Sequence, residues 1–307
     1  MAILTRSSVV VTGGAGFIGS CFARHLVECG YERIRIVDKL TYAGNPANFA
    51  SISDYPGFSF VQADICDPES MLSALEGFDA VVNFAAETHV DRSLLNPGEF
   101  IQTDVFGVYV LLEAVRSLGT ERFVHVSTDE VYGHVPTGSS VESDPLAPRN
   151  PYSASKAGGE LLIRSYVETY GTPAIITRGS NTYGPYQYPE KLLSLAITNV
   201  LDDQPIPVYG DGRQVRDWLH VEDHASGIER VLRDGELGEA YNIGGGNERE
   251  NLDVIAIVLD ELDAPRDFLR HVTDRQGHDR RYSLNTSKVR KLGWEPMHSF
   301  ENGLRST

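Results

Sequence analysis

Tyr152 and Lys156 stand four residues apart in "NPYSASKAGGELL", so on a helix they share one face. An ammonium close to a phenol favours the phenolate, and a positive nicotinamide ring would add to that effect. Such a tyrosinate can take a proton from a hydroxyl while hydride leaves the same carbon for NAD⁺. The pair alone is common on helix surfaces. Its weight comes from "FVHVSTDEVYGH", one strand earlier, where Thr128 or Ser127 offers a hydroxyl as third member. That stretch holds a second oddity. Its apolar run stops at Val126, and two neighbouring carboxylates, Asp129 and Glu130, follow where the chain should still be near the core.

A second group of residues is suited to a dinucleotide. "VVVTGGAGFIGS" places Gly13, Gly16 and Gly19 between a strand and a helix. Small residues there let the backbone approach a pyrophosphate, whose charge the helix N-terminus meets. The next strand, "RIRIVDKL", ends in Asp38, 19 residues after Gly19, where a carboxylate can accept both adenosine ribose hydroxyls. An acid at that point repels a 2′-phosphate, which favours NAD over NADP. Asp64 and Ile65 end the following strand, within reach of an adenine, whereas Asp67 suits the cap of the helix over "PESMLSAL". In "NFAAETHVDRS", Ala85 and Ala86 are small enough for a ligand to lie against the backbone, and Asp91 and Arg92 read equally well as a surface ion pair.

The elements that must hold these groups alternate through the N-terminal half. Strands at "SSVVVTGG", "RIRIVD", "FSFVQADI", "AVVNFAA", "FVHVS" and "PAIITR" are separated by helical patterns, including one over "FIQTDVFGVYVLLEAVRSLG" and one from Tyr152 to Tyr170. Continuous apolar strands between helices predict an α/β fold: a doubly wound, Rossmann-type parallel sheet that binds ligands beyond its strands' carboxyl ends. This NAD-binding domain spans residues 1–178. After Arg178 turn-rich segments take over, with helices at "LLSLAITNVL", "VEDHASGIERVL" and "LDVIAIVLDEL", predicting a smaller, mainly substrate-binding domain over 179–307. A return to the sheet is expected within 220–243, near "EAYNIGG".

A chain of 307 residues can bury a large core. Its net charge of −16 argues against nucleic acid and anionic membrane as partners, so any anionic ligand needs local donors. Three cysteines without CxxC spacing suggest a reducing compartment, no metal set is expected, and no apolar run reaches membrane length; the expected address is the cytoplasm.

TGGAGFIG, STDEVYG and YSASK together resemble the extended short-chain dehydrogenase/reductase family, which modifies nucleotide sugars. "DKLTYAGN", "AAETHVDRS", "SNTYGPYQYPEKLL", "PVYGDGRQVRDWLHVEDHA", "YNIGGGNERENLDV" and "DRQGHDRRYSLN" narrow the resemblance to members that dehydrate dTDP-glucose, along nearly the whole chain. The adjacent acids acquire roles from it. Oxidation at sugar C4 acidifies the C5 proton; Glu130 is then the base that removes it, and Asp129 the acid that protonates the departing C6 hydroxyl. Two adjacent carboxyls can differ in protonation because each raises the other's pKa. Hydride then returns to C6, and Thr128, Tyr152 and Lys156 complete the catalytic set.

The resemblance also implies a binding set. Phe17, Ile18, Lys39, Leu40, Thr41 and Phe84 join the glycines, Asp38, Asp64, Ile65, Ala85 and Ala86 around NAD, and Thr103 and Thr182 face the cofactor. Thr88, Thr128, Asn181, Lys191, Leu192 and Pro207 are implied at the nucleotide sugar, as are Tyr209, Arg216, Asn251, Asp274 and His278. Lys191 and Arg216 can meet the diphosphate. The chain departs from the family pattern at Thr182 (typically Asn), Gln276 (typically Pro) and Thr88 (commonly Ser), and the family pattern runs on past "GLRST" into a further helix. A UDP- or CDP-sugar dehydratase, an epimerase with an unusual acid pair and a silent NAD-binding regulator remain alternatives. Tightly held NAD is expected. So is a homodimer paired through helices near 100–118 and 152–170, where Phe100, Ile101, Val105, Phe106, Val108, Tyr109, Leu111 and Leu112 form an apolar set larger than one sheet face needs.

Overall fold

The computed structural model describes residues 8–307. Its first half runs β1 (Ser8–Thr12), α1 (Phe17–Glu28), β2 (Arg33–Asp38), β3 (Phe58–Gln62), α2 (Pro68–Leu75) and β4 (Ala80–Asn83). Then follow α3 (Val90–Leu95), α4 (Pro97–Ile101), α5 (Val108–Leu118), β5 (Arg122–Thr128), α6 (Pro151–Tyr170) and β6 (Ala174–Gly179). The remainder is β7 (Asn181–Tyr183), α7 (Leu192–Leu201), β8 (Ile206–Tyr209), β9 (Val215–His220), α8 (Val221–Asp234) and β10 (Ala240–Ile243). It closes with β11 (Glu248–Glu250), α9 (Asn251–Glu261), β12 (Leu269–Val272), α10 (Ser287–Lys291) and α11 (Phe300–Arg305).

Seven strands form one sheet in the order β10-β6-β5-β4-β1-β2-β3, every neighbouring pair parallel. The alternation of side chains along a strand shows in β1. Val9 and Val11 enter the core layer shared with α1 and α8, whereas Val10 enters the layer shared with α2, α5 and α6. The strands follow in sequence outwards on both sides of β1, to β2 and β3 one way and to β4, β5 and β6 the other, and the crevice opens there, past the carboxyl ends of β1 and β4. β10, from the C-terminal part of the chain, completes the sheet beside β6. A third core of Tyr183, Leu193, Trp218, Val254, Leu259 and Phe300 holds the C-terminal elements together.

One predicted helix is interrupted. Between α4 and α5, residues Gln102–Gly107 wind as a π-helix, and this wider turn brings Thr103 and Asp104 into the interior. Close backbone approach accompanies it: a Cβ on Gly159 of α6 would lie 2.6 Å from the Asp104 carbonyl oxygen. α6 itself is sharply started, by Pro151 in its first turn and a reciprocal cap between Asn150 and Ser153. The fully buried Arg178–Glu160 ion pair (2.7 Å) ties its middle to β6. No helix among the described residues is long and apolar enough to cross a membrane.

Candidate active site

At the carboxyl end of β1 the chain turns through Gly13 (φ +70°), and a Cβ there would lie 2.5 Å from the Ala85 amide nitrogen. A Cβ on Gly19 would lie 2.4 Å from the Gly13 carbonyl oxygen, so the first turn of α1 packs directly on the loop. Asp38, at the end of β2, is fixed by two backbone donors: Ala15 N–H to Oδ2 (3.0 Å) and Leu40 N–H to Oδ1 (2.8 Å). Burial raises its pKa, and those two amides and Lys39 oppose the rise. Each carboxylate oxygen keeps a further lone pair for a ribose hydroxyl. Asp64 accepts the Cys66 N–H (2.9 Å) and lies 3.5 Å from Lys39 Nζ. A glycine cradle, a helix N-terminus and an anchored acid fit a dinucleotide.

The loop opens into a cleft of about 560 Å³ walled by nearly all of the residues anticipated for cofactor and sugar. Two stand off that wall. Leu40 has its side chain against the core and contributes its amide to Asp38. Asp274 accepts from His278 Nδ1 (2.7 Å) and so orients a residue that does line the cleft.

Thr128 ends β5 and caps a short 3₁₀ turn over Asp129–Tyr132. Its hydroxyl donates to Asp129 Oδ1 (3.2 Å) and accepts the Glu130 N–H (3.3 Å). The two acids then diverge. Asp129 is buried, and burial, with Glu130 beside it, pushes its pKa well above the usual carboxylate range against the pull of Arg216; its Oδ2 has no partner. Glu130 is only half-buried and its Oε2 accepts from Asn150 Nδ2 (3.2 Å), with the Tyr282 hydroxyl at 3.4 Å.

Tyr152 sits in the first turn of α6, packed edge-on against Phe100. The expected lowering of its pKa by Lys156 is not found. Burial raises the phenol well above its ordinary value, Glu130 and Asp104 add to the rise, and the Thr128 hydroxyl opposes it. The lysine is turned elsewhere: Nζ donates to the Val126 carbonyl (2.9 Å) and lies 3.4 Å from His125 Nε2. A buried chain runs on from that histidine. Asn83 Oδ1 accepts from the Ala85 amide (3.1 Å) and the Thr12 hydroxyl (2.6 Å), so its Nδ2 donates to His125 Nδ1 (3.1 Å). Burial lowers the pKa of Lys156, while Asp104 and Glu160 oppose the fall.

At the far end, Lys191 Nζ donates to the Thr88 carbonyl oxygen, and Arg216 donates to the Val215 (2.8 Å) and Asp279 (2.9 Å) carbonyls over the Tyr282 ring. Asn251 Oδ1 is buried without a partner. Asp91 and Arg92 do not pair with each other: Asp91 meets Arg275 (3.2 Å) and the Tyr209 hydroxyl (3.0 Å), and Arg92 meets Glu190 (3.8 Å). Sequence reasoning missed Asn150, Arg275, Asp279, Tyr282 and Glu190 on the wall. Asn150 was open to detection as the cap before Pro151, whereas the others reach the cleft from loops whose paths no local pattern fixes.

The family model for GDP-mannose 4,6 dehydratase matches residues 10–307. A dTDP-glucose 4,6-dehydratase of Salmonella typhimurium is 46% identical over 97% of this chain and 91% of its own. Among solved structures, a double mutant of DesIV, a dTDP-glucose 4,6-dehydratase of Streptomyces venezuelae crystallised with NAD, is 49% identical (TM-score 0.96, covering 97% of this chain and 95% of that one). A UDP-glucose 4-epimerase of Thermus thermophilus with NAD has a TM-score of 0.90 at 32% identity, covering 97% of each chain. Fold is therefore shared across different chemistries, and the chemistry has to be argued from the site.

Proposed function

The chain belongs to the GDP-mannose 4,6-dehydratase family, and from that membership we propose that it converts dTDP-glucose to dTDP-4-keto-6-deoxyglucose and water. It is an NAD-dependent enzyme of the hydro-lyase type. The observation that carries the substrate chemistry is the asymmetry of Asp129 and Glu130, one buried with its pKa raised by that burial, the other half-buried and hydrogen-bonded by Asn150. An epimerase has no leaving hydroxyl to protonate and needs no such pair.

NAD, when bound, accepts hydride from sugar C4 and later gives it to C6. Gly13, Gly16 and Gly19 would hold its pyrophosphate and Asp38 its adenosine ribose. A bound nicotinamide's positive charge would offset the burial of Tyr152 and favour its phenolate, which takes the C4 hydroxyl proton, with the Thr128 hydroxyl aligning that oxygen. Glu130 removes the proton at C5, and Asp129 gives its own to the C6 hydroxyl, which leaves as water. Glu130 returns its proton to C5 as C6 is reduced. The proton left on Tyr152 replaces the one Asp129 spent, so the cycle closes without net acid or base. Lys191 and Arg216 meet the diphosphate, a local positive site in a chain of net charge −16.

The test is incubation of the purified protein, without added NAD, with dTDP-, UDP- and CDP-glucose. The expected result is a 4-keto-6-deoxy product from dTDP-glucose in preference to the other two. Equal turnover of all three would remove the base assignment, and a product epimerised at C4 would remove the dehydratase reading.

A further inference from the structure

The side chain of Asn150 has both of its ends assigned by their partners. Oδ1 accepts the Ser153 N–H (2.8 Å), a group that can only donate, so Nδ2 is the end that lies 3.2 Å from Glu130 Oε2. The backbone is held as well: the Asn150 N–H donates to Ser153 Oγ (3.3 Å), and the Ser153 hydroxyl donates to the Asn150 carbonyl (3.1 Å). Asn150 is buried, lines the cleft together with Glu130, and precedes Pro151 at the start of α6. The cap leaves its amide little room to turn.

Among the described residues, Glu130 has one other side-chain neighbour within hydrogen-bond distance, the Tyr282 hydroxyl at 3.4 Å. A phenol has a single proton, and that of Tyr282 goes to the shorter contact, Asp279 Oδ2 (2.9 Å). Asn150 is thus the side chain that donates to Glu130. A half-buried carboxylate on a short 3₁₀ turn has several rotamers open to it, and one fixed donor selects among them. The same amide caps the helix that carries Tyr152, two residues further on. In the reaction above Tyr152 takes a proton at C4 and Glu130 one at C5, on adjacent carbons of one ring. Asn150 spans the two groups.

We propose that Asn150 is a positioning residue for the elimination step: its Oδ1 sets the start of the helix bearing Tyr152, and its Nδ2 holds Glu130 in register with that tyrosine across neighbouring sugar carbons. This rests on the dehydratase reading above. It differs from a plain helix cap, for which any capping oxygen would serve.

Two substitutions keep a cap and remove the donor, since serine, aspartate and asparagine cap helices about equally well. Asn150→Ser leaves Glu130 without Nδ2, and Asn150→Asp puts a carboxylate oxygen in its place. The holoenzyme is mixed with dTDP-glucose in deuterated water; enzyme-bound NADH absorbance reads oxidation at C4, and deuterium at C5 reads proton removal. The reference for oxidation is Glu130→Gln, which lacks the base and keeps Tyr152 and the cap. Both Asn150 variants should reduce bound NAD at the reference rate. Asn150→Ser should lose about tenfold in C5 exchange, as loss of one hydrogen bond to a charged group predicts. Asn150→Asp should lose more at pH ~6 than at pH ~9, because a second carboxylate favours a shared proton that disables the base until it is titrated away. The other groups facing Glu130 are Asp129, Tyr152, Lys191 and the Tyr282–Asp279 pair with Arg216 over its ring, and both substitutions leave them in place. C5 exchange at the wild-type rate in either variant overturns the proposal, as does an Asn150→Asp deficit that is flat in pH. A parallel fall of oxidation and exchange would reduce Asn150 to a helix cap and overturn it too. Wild type that leaves dTDP-glucose unchanged would overturn the dehydratase reading itself, a distinguishable failure.

Discussion

Asp129 and Glu130 are one residue apart in sequence and differ chiefly in what surrounds them. Asp129 is 3% exposed with one oxygen unpartnered, a setting that favours a proton donor; Glu130 reaches Asn150 and the cleft, a setting for a base. Glu130→Gln should therefore separate oxidation from elimination. The amide can still accept from Asn150, and Tyr152, Thr128 and Lys156 remain, but the C5 proton has no acceptor. Loss of a positioned base costs ~10²–10⁴ in rate. Adding dTDP-glucose should produce a slow rise of enzyme-bound NADH absorbance with little exchange of the C5 hydrogen in deuterated water. Exchange at the wild-type rate would transfer the base role to another group. Both acids were conspicuous in the sequence; their difference in burial was not.

The π-helical stretch between α4 and α5 shows what an element can impose on a residue. It carries Asp104 inward, where Oδ1 accepts the Glu87 N–H (3.1 Å) and Oδ2 the Ser155 hydroxyl (2.6 Å). Burial raises its pKa to about 6, against the pull of Lys156 and Ser155. A carboxyl with a raised folded pKa binds its proton more tightly in the native state. Its stabilising contribution is therefore present at low pH and is lost as pH rises from the unfolded value towards 6. A shift of this size is worth about 3 kcal/mol. Asp104→Asn should remove that pH dependence, because the amide can accept from Glu87 and donate to Ser155, whose own hydroxyl can turn to the Tyr152 carbonyl (2.8 Å). Thermal melts should place the variant above wild type near pH ~8 and close to it near pH ~4. The same difference at both values would mean that the carboxylate is not the source of the cost. A continuous helix was the natural sequence expectation here, since a π turn leaves no mark in apolar spacing.

At the scale of the whole molecule, the apolar set expected to pair two copies divides in two. Phe100, Val108, Leu111 and Leu112 are buried within this chain and Val105 is half-buried, whereas Ile101 (54%), Phe106 (40%) and Tyr109 (42%) remain exposed. Leu161 and Tyr170 of α6 are exposed as well (both 57%). We propose that these outward residues pair with a second copy, burying an apolar face that a lone chain would leave in water. Sedimentation should give a dimer mass, and Ile101→Glu combined with Leu161→Glu should shift it towards monomer while leaving NAD bound. A concentration-independent monomer in the wild type would remove the proposal.

The alternation of strands and helices, the phosphate loop, Asp38 and the Tyr152/Lys156 spacing were legible because they are local: periodicity, glycine placement and helical repeat are written in neighbouring residues. The long-range consequences were not. Lys156 answers to Val126 and His125 rather than to Tyr152, Asp91 and Arg92 find separate partners, and Tyr282 reaches Glu130 from 152 residues away. Burial and the proton positions it imposes depend on which loops meet over the sheet edge, and that is a property of the packed chain.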